Sequence, residues 1–122
     1  MKTEKALILI AHGSRVKKTA EEMQSLVERV QAKVPDRRVT SAYMEIQSPG
    51  LLDAVSEQVE NGVLAIDILP MFFFEGRHMR DDIPAQVNEC LEKFSGCEIK
   101  LLPYIGSSEH FANALVDSVL TF

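Results

Sequence analysis

Strand-forming runs alternate along the chain with segments in which apolar residues recur at every third or fourth position. The first run, Leu7–Ile10, is continuously apolar, which is typical of a strand buried on both faces of a sheet. The later runs contain β-branched or aromatic residues that favour strands: Arg38–Glu45, Val63–Phe73 and Glu98–Leu102. We predict four β-strands from these runs.

Four helices are predicted, one after each strand. Their apolar stripes have helical spacing over Met23–Val34, Leu51–Val59, Ile83–Phe94 and Phe111–Leu120. Residues typical of helix starts precede or open the predicted helices: Thr19 with Glu22, Ser48 with Pro49, Asp81 and Asp82 before Pro84, and Ser107 or Ser108. The predicted order of elements is therefore β-α-β-α-β-α-β-α.

This alternation predicts an α/β fold in which right-handed crossovers build a parallel four-stranded sheet with helices on both faces. Helices on both faces require the winding to reverse, and the strand order 2-1-3-4 places the reversal between strands 1 and 3. At 122 residues, we expect residues 1–122 to form a single domain. Because ligands bind such sheets at the carboxyl ends of strands beside the reversal, the loops after strands 1 and 3 are the candidate site.

Charge and composition exclude several classes of partner. Thirteen Lys and Arg against eighteen Asp and Glu give a net charge of −5, which disfavours general binding of nucleic acid or anionic membranes. No apolar run approaches the roughly 18–20 residues of a membrane span, and the first residues lack signal-peptide features. The two cysteines, Cys90 and Cys97, indicate buried thiols rather than a secreted disulfide framework. We expect a cytoplasmic protein.

Each of the two candidate loops carries a histidine. His12 lies at the tip of the first strand, before a glycine that permits close backbone approach, and His78 lies in the polar loop after the third strand. Glu45 ends the second strand at the same edge. Imidazoles suit Co²⁺, Ni²⁺, Fe²⁺ and Zn²⁺, so we predict a metal site of His12 and His78, with Glu45 as a further ligand or proton acceptor. His110, at the start of the last helix, is interpreted as a surface residue.

The spacing of these residues leaves other functions open. A phosphohydrolase with a nucleophilic histidine also shows His-Gly at a strand tip, but it needs an arginine where Ala11 stands. A metallochaperone would use the same histidines without catalysis, and a flavodoxin-like mononucleotide binder would share the fold. Five basic residues near the carboxyl edge offer a local anion site on this acidic protein: Arg15, Lys17, Lys18, Arg77 and Arg80.

Two motifs taken together resemble the short-form sirohydrochlorin chelatases of the CbiX type. One is Ala11-His12-Gly13-Ser14-Arg15 after the first strand; the other is Leu69–Phe73, leading to Gly76-Arg77-His78 and Asp82-Ile83-Pro84. Tyr43-Met44-Glu45 before Pro49 and the Ile105-Gly106 turn also fit. The resemblance therefore spans essentially the whole chain.

The resemblance implies a chelatase fold and insertion of a divalent metal, Co²⁺ above all, into sirohydrochlorin during cobalamin or siroheme-type biosynthesis. Insertion of Fe²⁺ or Ni²⁺, and a non-catalytic metal-binding module, are the alternatives. The metal is then a substrate, no cofactor is tightly bound, and a second copy of the chain completes a homodimer. Some nickel-specific relatives carry a histidine-rich insert and some iron-inserting relatives a cysteine-bearing tail; this chain has neither, which favours cobalt slightly.

Carried over by position, the resemblance assigns His12 as metal ligand and proton acceptor, and His78 as the second ligand. With Glu45, these residues form the predicted catalytic set. The residues predicted to line the tetrapyrrole site are Glu45, Phe72, Phe73, Phe74, Glu75, Gly76 and Arg77.

Overall fold

The computed structural model describes residues 4–121, over which four strands alternate with four helices. The strands are β1 (Lys5–Ala11), β2 (Arg38–Tyr43), β3 (Ala65–Pro70) and β4 (Glu98–Leu101). The helices are α1 (Lys17–Lys33), α2 (Leu51–Glu60), α3 (Ile83–Lys93) and α4 (Glu109–Thr121). All strand pairs are parallel and the order is β2-β1-β3-β4, which confirms the predicted fold class and strand order.

Two hydrophobic clusters fix the central strands. The larger cluster packs β1 and β3 against α2 and α3 through buried side chains that include Ile8, Ile10, Val55, Ile66, Ile68, Ile83 and Val87. The smaller cluster packs Leu9 and Val39 against Met23 and Val27 of α1. Full burial of one such side chain stabilises the fold by roughly 2 kcal/mol. The carboxyl ends of β1 and β3 are therefore a rigid platform for the loops that follow them.

The second and third strands are shorter than their sequence patterns indicated. β2 ends at Tyr43 and β3 at Pro70, so Glu45 and the three phenylalanines at positions 72–74 lie in loops beyond the sheet. The physical reason is that β1 lies between these two strands and itself ends at Ala11. Beyond that point the pairing with the loop after β2 continues as individual backbone hydrogen bonds rather than as a strand ladder.

Two predicted helix starts were wrong. Val16 precedes α1 without a side-chain cap, and Thr19 lies inside the helix, because the Ser14 hydroxyl accepts the Val16 N–H (3.0 Å) and brings the chain into the helix earlier. The Ser48–Pro49 start of α2 fails because the Pro49 carbonyl accepts the Tyr43 N–H at 2.9 Å. The serine cap of α4 is confirmed, since the Ser108 hydroxyl accepts the His110 N–H at 3.1 Å.

The last helix is present as predicted, but its apolar stripe is not buried. None of its described residues is classed as core, and Val119 and Leu120 are 77% and 79% exposed. The ring of Phe111 contacts Phe73 in the loop after β3, with centroids 5.1 Å apart. Among residues 4–121, no helix is both long enough and apolar enough to cross a bilayer.

Both cysteines are buried free thiols, as the sequence indicated. Burial raises the pKa of Cys90 to about 11 and also raises the pKa of Cys97. The two thiols therefore stay protonated at neutral pH, and neither supplies the thiolate that a metal would need as a ligand.

Candidate functional site

The two loop histidines meet at the point where the winding of the sheet reverses. His12 follows β1 directly, and His78 opens a π-helical turn (His78–Asp82) that leads into α3. Because β1 and β3 are adjacent parallel strands, their carboxyl ends bring the two loops side by side. The two imidazole rings lie 4.9 Å apart between centroids.

Gly13 allows the loop after β2 to reach His12. Beyond the strand ends the backbone pairing continues, with the Met44 N–H donating to Ala11 (2.8 Å) and the Glu45 N–H donating to His12 (3.0 Å). Gly13 has a φ of +111°, and a Cβ at this position would overlap the Glu45 carbonyl oxygen. The close approach that the glycine permits is therefore that of the Glu45 backbone.

The Glu45 carboxylate contacts His12. Its Oε1 lies 2.9 Å from His12 Nε2, and the two side chains are 49% and 40% exposed. The other ring nitrogen, Nδ1, lies 3.1 Å from the Gly13 carbonyl. Both neighbours are hydrogen-bond acceptors. In the neutral tautomer with the proton on Nδ1, that nitrogen donates to Gly13, and the Nε2 lone pair faces the Glu45 carboxylate, so a metal ion or a proton would bridge the two atoms.

His78 is held by a carboxylate one helical turn away. Its Nδ1 lies 2.6 Å from Asp82 Oδ2, within the π-helical turn. An Nδ1–H that donates to Asp82 leaves the Nε2 lone pair free to bind a metal. The predicted capping role of Asp81 and Asp82 is wrong, because the helical backbone already includes both residues and neither side chain caps it. The spacing of four residues between His78 and Asp82 is the sequence signal for their contact.

His12, Glu45 and His78 together form a possible donor set for a metal ion. Each offers one ligand atom, and these atoms all lie within 4.8 Å of one another. Two imidazole nitrogens and one carboxylate oxygen suit borderline divalent cations such as Co²⁺, Ni²⁺ and Fe²⁺. Because all three side chains are partly exposed, such an ion would keep open positions for an incoming ligand.

An open cleft of about 290 Å³ adjoins these donors, and Glu45 and Asp82 are among its lining residues. Met44, Ala85 and Gln86 complete the lining. The Gln86 amide donates to the Met44 carbonyl at 3.2 Å and so ties α3 to the loop after β2. Met44 and Gln86 were not predicted as site residues, because nothing in their spacing in the sequence marks them as such.

The other predicted site residues follow β3 at the same edge of the sheet but lie outside the three-residue donor set. Phe72 is half-buried against the core, whereas Phe73 and Phe74 are 62% and 83% exposed. Glu75, Gly76 and Arg77 are also exposed. His110 is exposed on α4 and is not among the donors either.

Comparison with known proteins places these features in a family. The CbiX family model matches residues 6–121. A chloroplastic sirohydrochlorin ferrochelatase from Arabidopsis thaliana is 30% identical over 113 residues, which are 93% of this chain and 48% of the relative. A sirohydrochlorin cobaltochelatase from Sulfurisphaera tokodaii is 29% identical over 113 residues, covering 93% of this chain and 89% of the relative. The chain thus spans about half the length of some curated relatives and most of others.

Solved structures agree with the fold. A putative cobalamin biosynthesis CbiX protein from Marinobacter aquaeolei superimposes with a TM-score of 0.82 at 30% identity, over 96% of this chain and 95% of that chain. The sirohydrochlorin chelatase SirB from Bacillus subtilis, in complex with cobalt, superimposes with a TM-score of 0.84 at 23% identity, over 98% of this chain and 51% of that chain. The Marinobacter protein is therefore similar to this chain in length, whereas this chain matches about half of the longer Bacillus protein. With a family model that matches almost its entire length, the chain belongs to the CbiX family.

Proposed function

We propose that this protein is a sirohydrochlorin chelatase that inserts Co²⁺ into the tetrapyrrole ring. The observation that carries the proposal is the meeting of His12, Glu45 and His78, whose ligand atoms lie within 4.8 Å of one another at an open edge of the sheet. The names of the relatives support the substrate, since both cobaltochelatases and ferrochelatases of sirohydrochlorin are similar to this chain.

We propose different roles for the two histidines. Insertion brings one divalent cation into the ring and removes two protons from the pyrrole nitrogens, so the site needs both a ligand and a proton acceptor. His78 suits the ligand role, because Asp82 at 2.6 Å fixes its ring and leaves Nε2 free. The His12–Glu45 pair suits the acceptor role, because the imidazole can take up one proton that the carboxylate 2.9 Å away stabilises, and the second proton can leave to solvent through the half-exposed carboxylate. His12 Nε2 cannot bind the metal and accept a proton at the same moment, so any metal contact by His12 precedes the proton transfer.

The loop after β3 supplies groups that fit the ring. The exposed faces of Phe73 and Phe74 offer aromatic surface to a flat macrocycle, with Phe72 anchoring the loop against the core. Sirohydrochlorin carries eight carboxylates, and exposed cations lie at this edge: Arg15, Lys17, Lys18, Arg77 and Arg80. We assign Glu75, Gly76 and Arg77 to the same binding surface. The local positive charge would attract the substrate although the net charge of the chain is −5.

The donor set accepts Co²⁺, Fe²⁺ and Ni²⁺, so cobalt is proposed on the family resemblance and on the relatives named as cobaltochelatases rather than on ligand chemistry. The metal enters as a substrate, and we propose no tightly bound cofactor. We place the reaction in the cytoplasm, where the reducing conditions suit the two free thiols.

Replacing Asp82 with alanine should weaken Co²⁺ binding about tenfold, because outer partners that orient a ligand histidine typically contribute 10–100-fold to affinity. Asp81→Ala is the matched control, since Asp81 is equally close in sequence but pairs with Arg80 at 3.3 Å. Isothermal titration with Co²⁺ measures both variants. Equal affinities in the two variants would contradict the role of Asp82.

A second copy of the chain is the partner we propose. The exposed apolar stripe of α4, with Leu115, Val116, Val119 and Leu120 between 55% and 79% exposed, is the kind of surface that marks a protein interface. Several relatives are about twice as long as this chain, which is consistent with two such units working together. The contact between Phe73 and Phe111 joins α4 to the proposed ring-binding loop, so a copy packed on α4 would lie beside the site.

Replacing Leu115 with glutamate should convert the protein from a dimer to a monomer, because a carboxylate would then be buried in the apolar contact. Ala114→Glu is the control, since position 114 lies on the side of α4 opposite the stripe and is exposed. Sedimentation velocity should give twice the 13.6 kDa chain mass for wild type and for the control, and the chain mass for Leu115→Glu. A monomeric wild type at tens of micromolar would refute the dimer.

Anaerobic absorbance spectroscopy tests the function. Purified protein is mixed with sirohydrochlorin and Co²⁺ beside a protein-free control, and loss of the free-ring spectrum is followed. We expect acceleration by the protein. Acceleration only with Fe²⁺ or Ni²⁺ would show that one of these ions, and not Co²⁺, is the metal substrate. Co²⁺ binding without any acceleration would favour a metallochaperone that uses the same histidines.

A further inference from the structure

The loop between β2 and α2 contains a strained turn directly after Glu45. Ile46 has a φ of +73°, and the Gln47 N–H donates across it to the Glu45 carbonyl at 2.8 Å. A three-residue turn with positive φ at its centre is the rare and strained form of the γ-turn. A β-branched residue is especially unfavourable in this conformation. Such strain persists where surrounding contacts hold it in place, and it concentrates at functional sites.

Contacts at both ends hold this turn. At its base, the Tyr43 N–H donates to the Pro49 carbonyl at 2.9 Å. At its tip, the Ser14 N–H donates to Gln47 Oε1 at 2.7 Å, in a partly buried position. The second bond joins the loop that carries Glu45 to the loop that carries His12. The two halves of the site are thus tied by a side chain that is not itself one of the donors.

These contacts restrict the conformation of Glu45. Its N–H donates to the His12 carbonyl at 3.0 Å and its own carbonyl accepts the Gln47 N–H, so its backbone is fixed on both sides. A half-exposed glutamate would otherwise sample many rotamers in solvent. Here the backbone is fixed, and the Glu45 carboxylate lies 2.9 Å from His12 Nε2.

We propose that the Ile46 turn and the Ser14–Gln47 hydrogen bond act as a latch that holds Glu45 against His12 before any ligand arrives, with Gln47 as a positioning residue. The inference rests on the proposed metal role of the site and adds a device that sets its geometry. The turn at Ile46 directs Glu45 toward His12, and the Gln47 side chain keeps the strained turn from relaxing because its Oε1 accepts the Ser14 N–H.

Three variants and one control separate the latch from general stability. Gln47→Met keeps the side-chain length but removes the oxygen that accepts the Ser14 N–H, and Gln47→Glu restores an oxygen. Ile46→Gly removes the steric penalty of positive φ. Gln31→Met is the matched control, because Gln31 Oε1 accepts a backbone N–H from Val39 at 2.9 Å at the opposite end of β2.

The first measurement uses the metal-free protein and amide hydrogen exchange. We expect the Ser14 and Glu45 amides to exchange at least about tenfold faster in Gln47→Met than in wild type, and at nearly the wild-type rate in Gln47→Glu, Ile46→Gly and Gln31→Met. Unchanged exchange at Glu45 in Gln47→Met would overturn the latch. This result does not depend on whether the protein is a chelatase.

The second measurement is Co²⁺ affinity by titration, paired with the melting temperature. Gln47→Met should bind Co²⁺ about tenfold more weakly, the usual scale for loss of an orienting contact. Ile46→Gly should keep its affinity and melt no earlier than wild type, whereas Gln31→Met should melt earlier and keep its affinity. Unchanged affinity in Gln47→Met would show that the turn does not serve the site. A wild type that binds no Co²⁺ would instead refute the proposed metal function, while the exchange rates still decide the latch.

Discussion

His12→Ala and His78→Ala should each lower Co²⁺ insertion by at least about a hundredfold. A positioned proton acceptor contributes about 10²–10⁴-fold to a rate. Neither imidazole is buried in the core, the side chains being 40% and 45% exposed, so the melting temperature of both variants should stay within a few degrees of wild type. The measurement is the initial rate of loss of the sirohydrochlorin spectrum with saturating Co²⁺.

The two variants should differ in the step that fails. His78→Ala removes the ligand that Asp82 orients, so Co²⁺ affinity should fall together with the rate. His12→Ala removes the acceptor next to Glu45, so part of the affinity should remain while the rate falls. His110→Ala is the control, because His110 is the third histidine and lies exposed on α4. Near-normal insertion by either site variant would contradict the assignment.

The sequence predicted those parts of the site that depend on topology alone. His12 and His78 could be paired before any coordinates, because both follow strands at the carboxyl edge and the order 2-1-3-4 makes those strands neighbours. Glu45 could be added for the same reason, although β2 ends earlier than its pattern indicated. These inferences need only the alternation of elements and the rule for parallel sheets.

The parts that escaped prediction depend on contacts between distant segments. Asp82 looks like a helix cap in sequence, and only the π-helical turn shows that its carboxylate faces His78. The positive φ of Ile46 is unfavourable locally and exists because Gln47 is tied to Ser14 across the site. Likewise, an apolar stripe on α4 has the same spacing whether it covers its own sheet or a second copy of the chain.

Gly13→Ala should damage both the fold and the site. The residue has a φ of +111°, which L side chains rarely adopt, and its Cβ would overlap the Glu45 carbonyl oxygen. Backbone strain of this kind costs about 1–3 kcal/mol, and displacement of the neighbouring loop adds to it. A loss of roughly 3 kcal/mol corresponds to a melting temperature about 10 °C lower for a domain of this size.

The substitution should also damage the site, because the overlap moves the residue that contacts His12. Pushing the Glu45 backbone away breaks its 3.0 Å hydrogen bond to His12 and separates the carboxylate from the imidazole, so Co²⁺ affinity should fall at least tenfold at temperatures where the variant is folded. Gly96→Ala is the matched control, since a Cβ there meets no atom within 4 Å and Gly96 lies outside the site. Calorimetry and Co²⁺ titration on the two variants separate the causes. If Gly13→Ala melted like wild type but no longer bound Co²⁺, the space at Gly13 would be needed by an incoming ligand rather than by the Glu45 backbone. If it melted early but bound Co²⁺ normally, the contact between the two loops would be structural only.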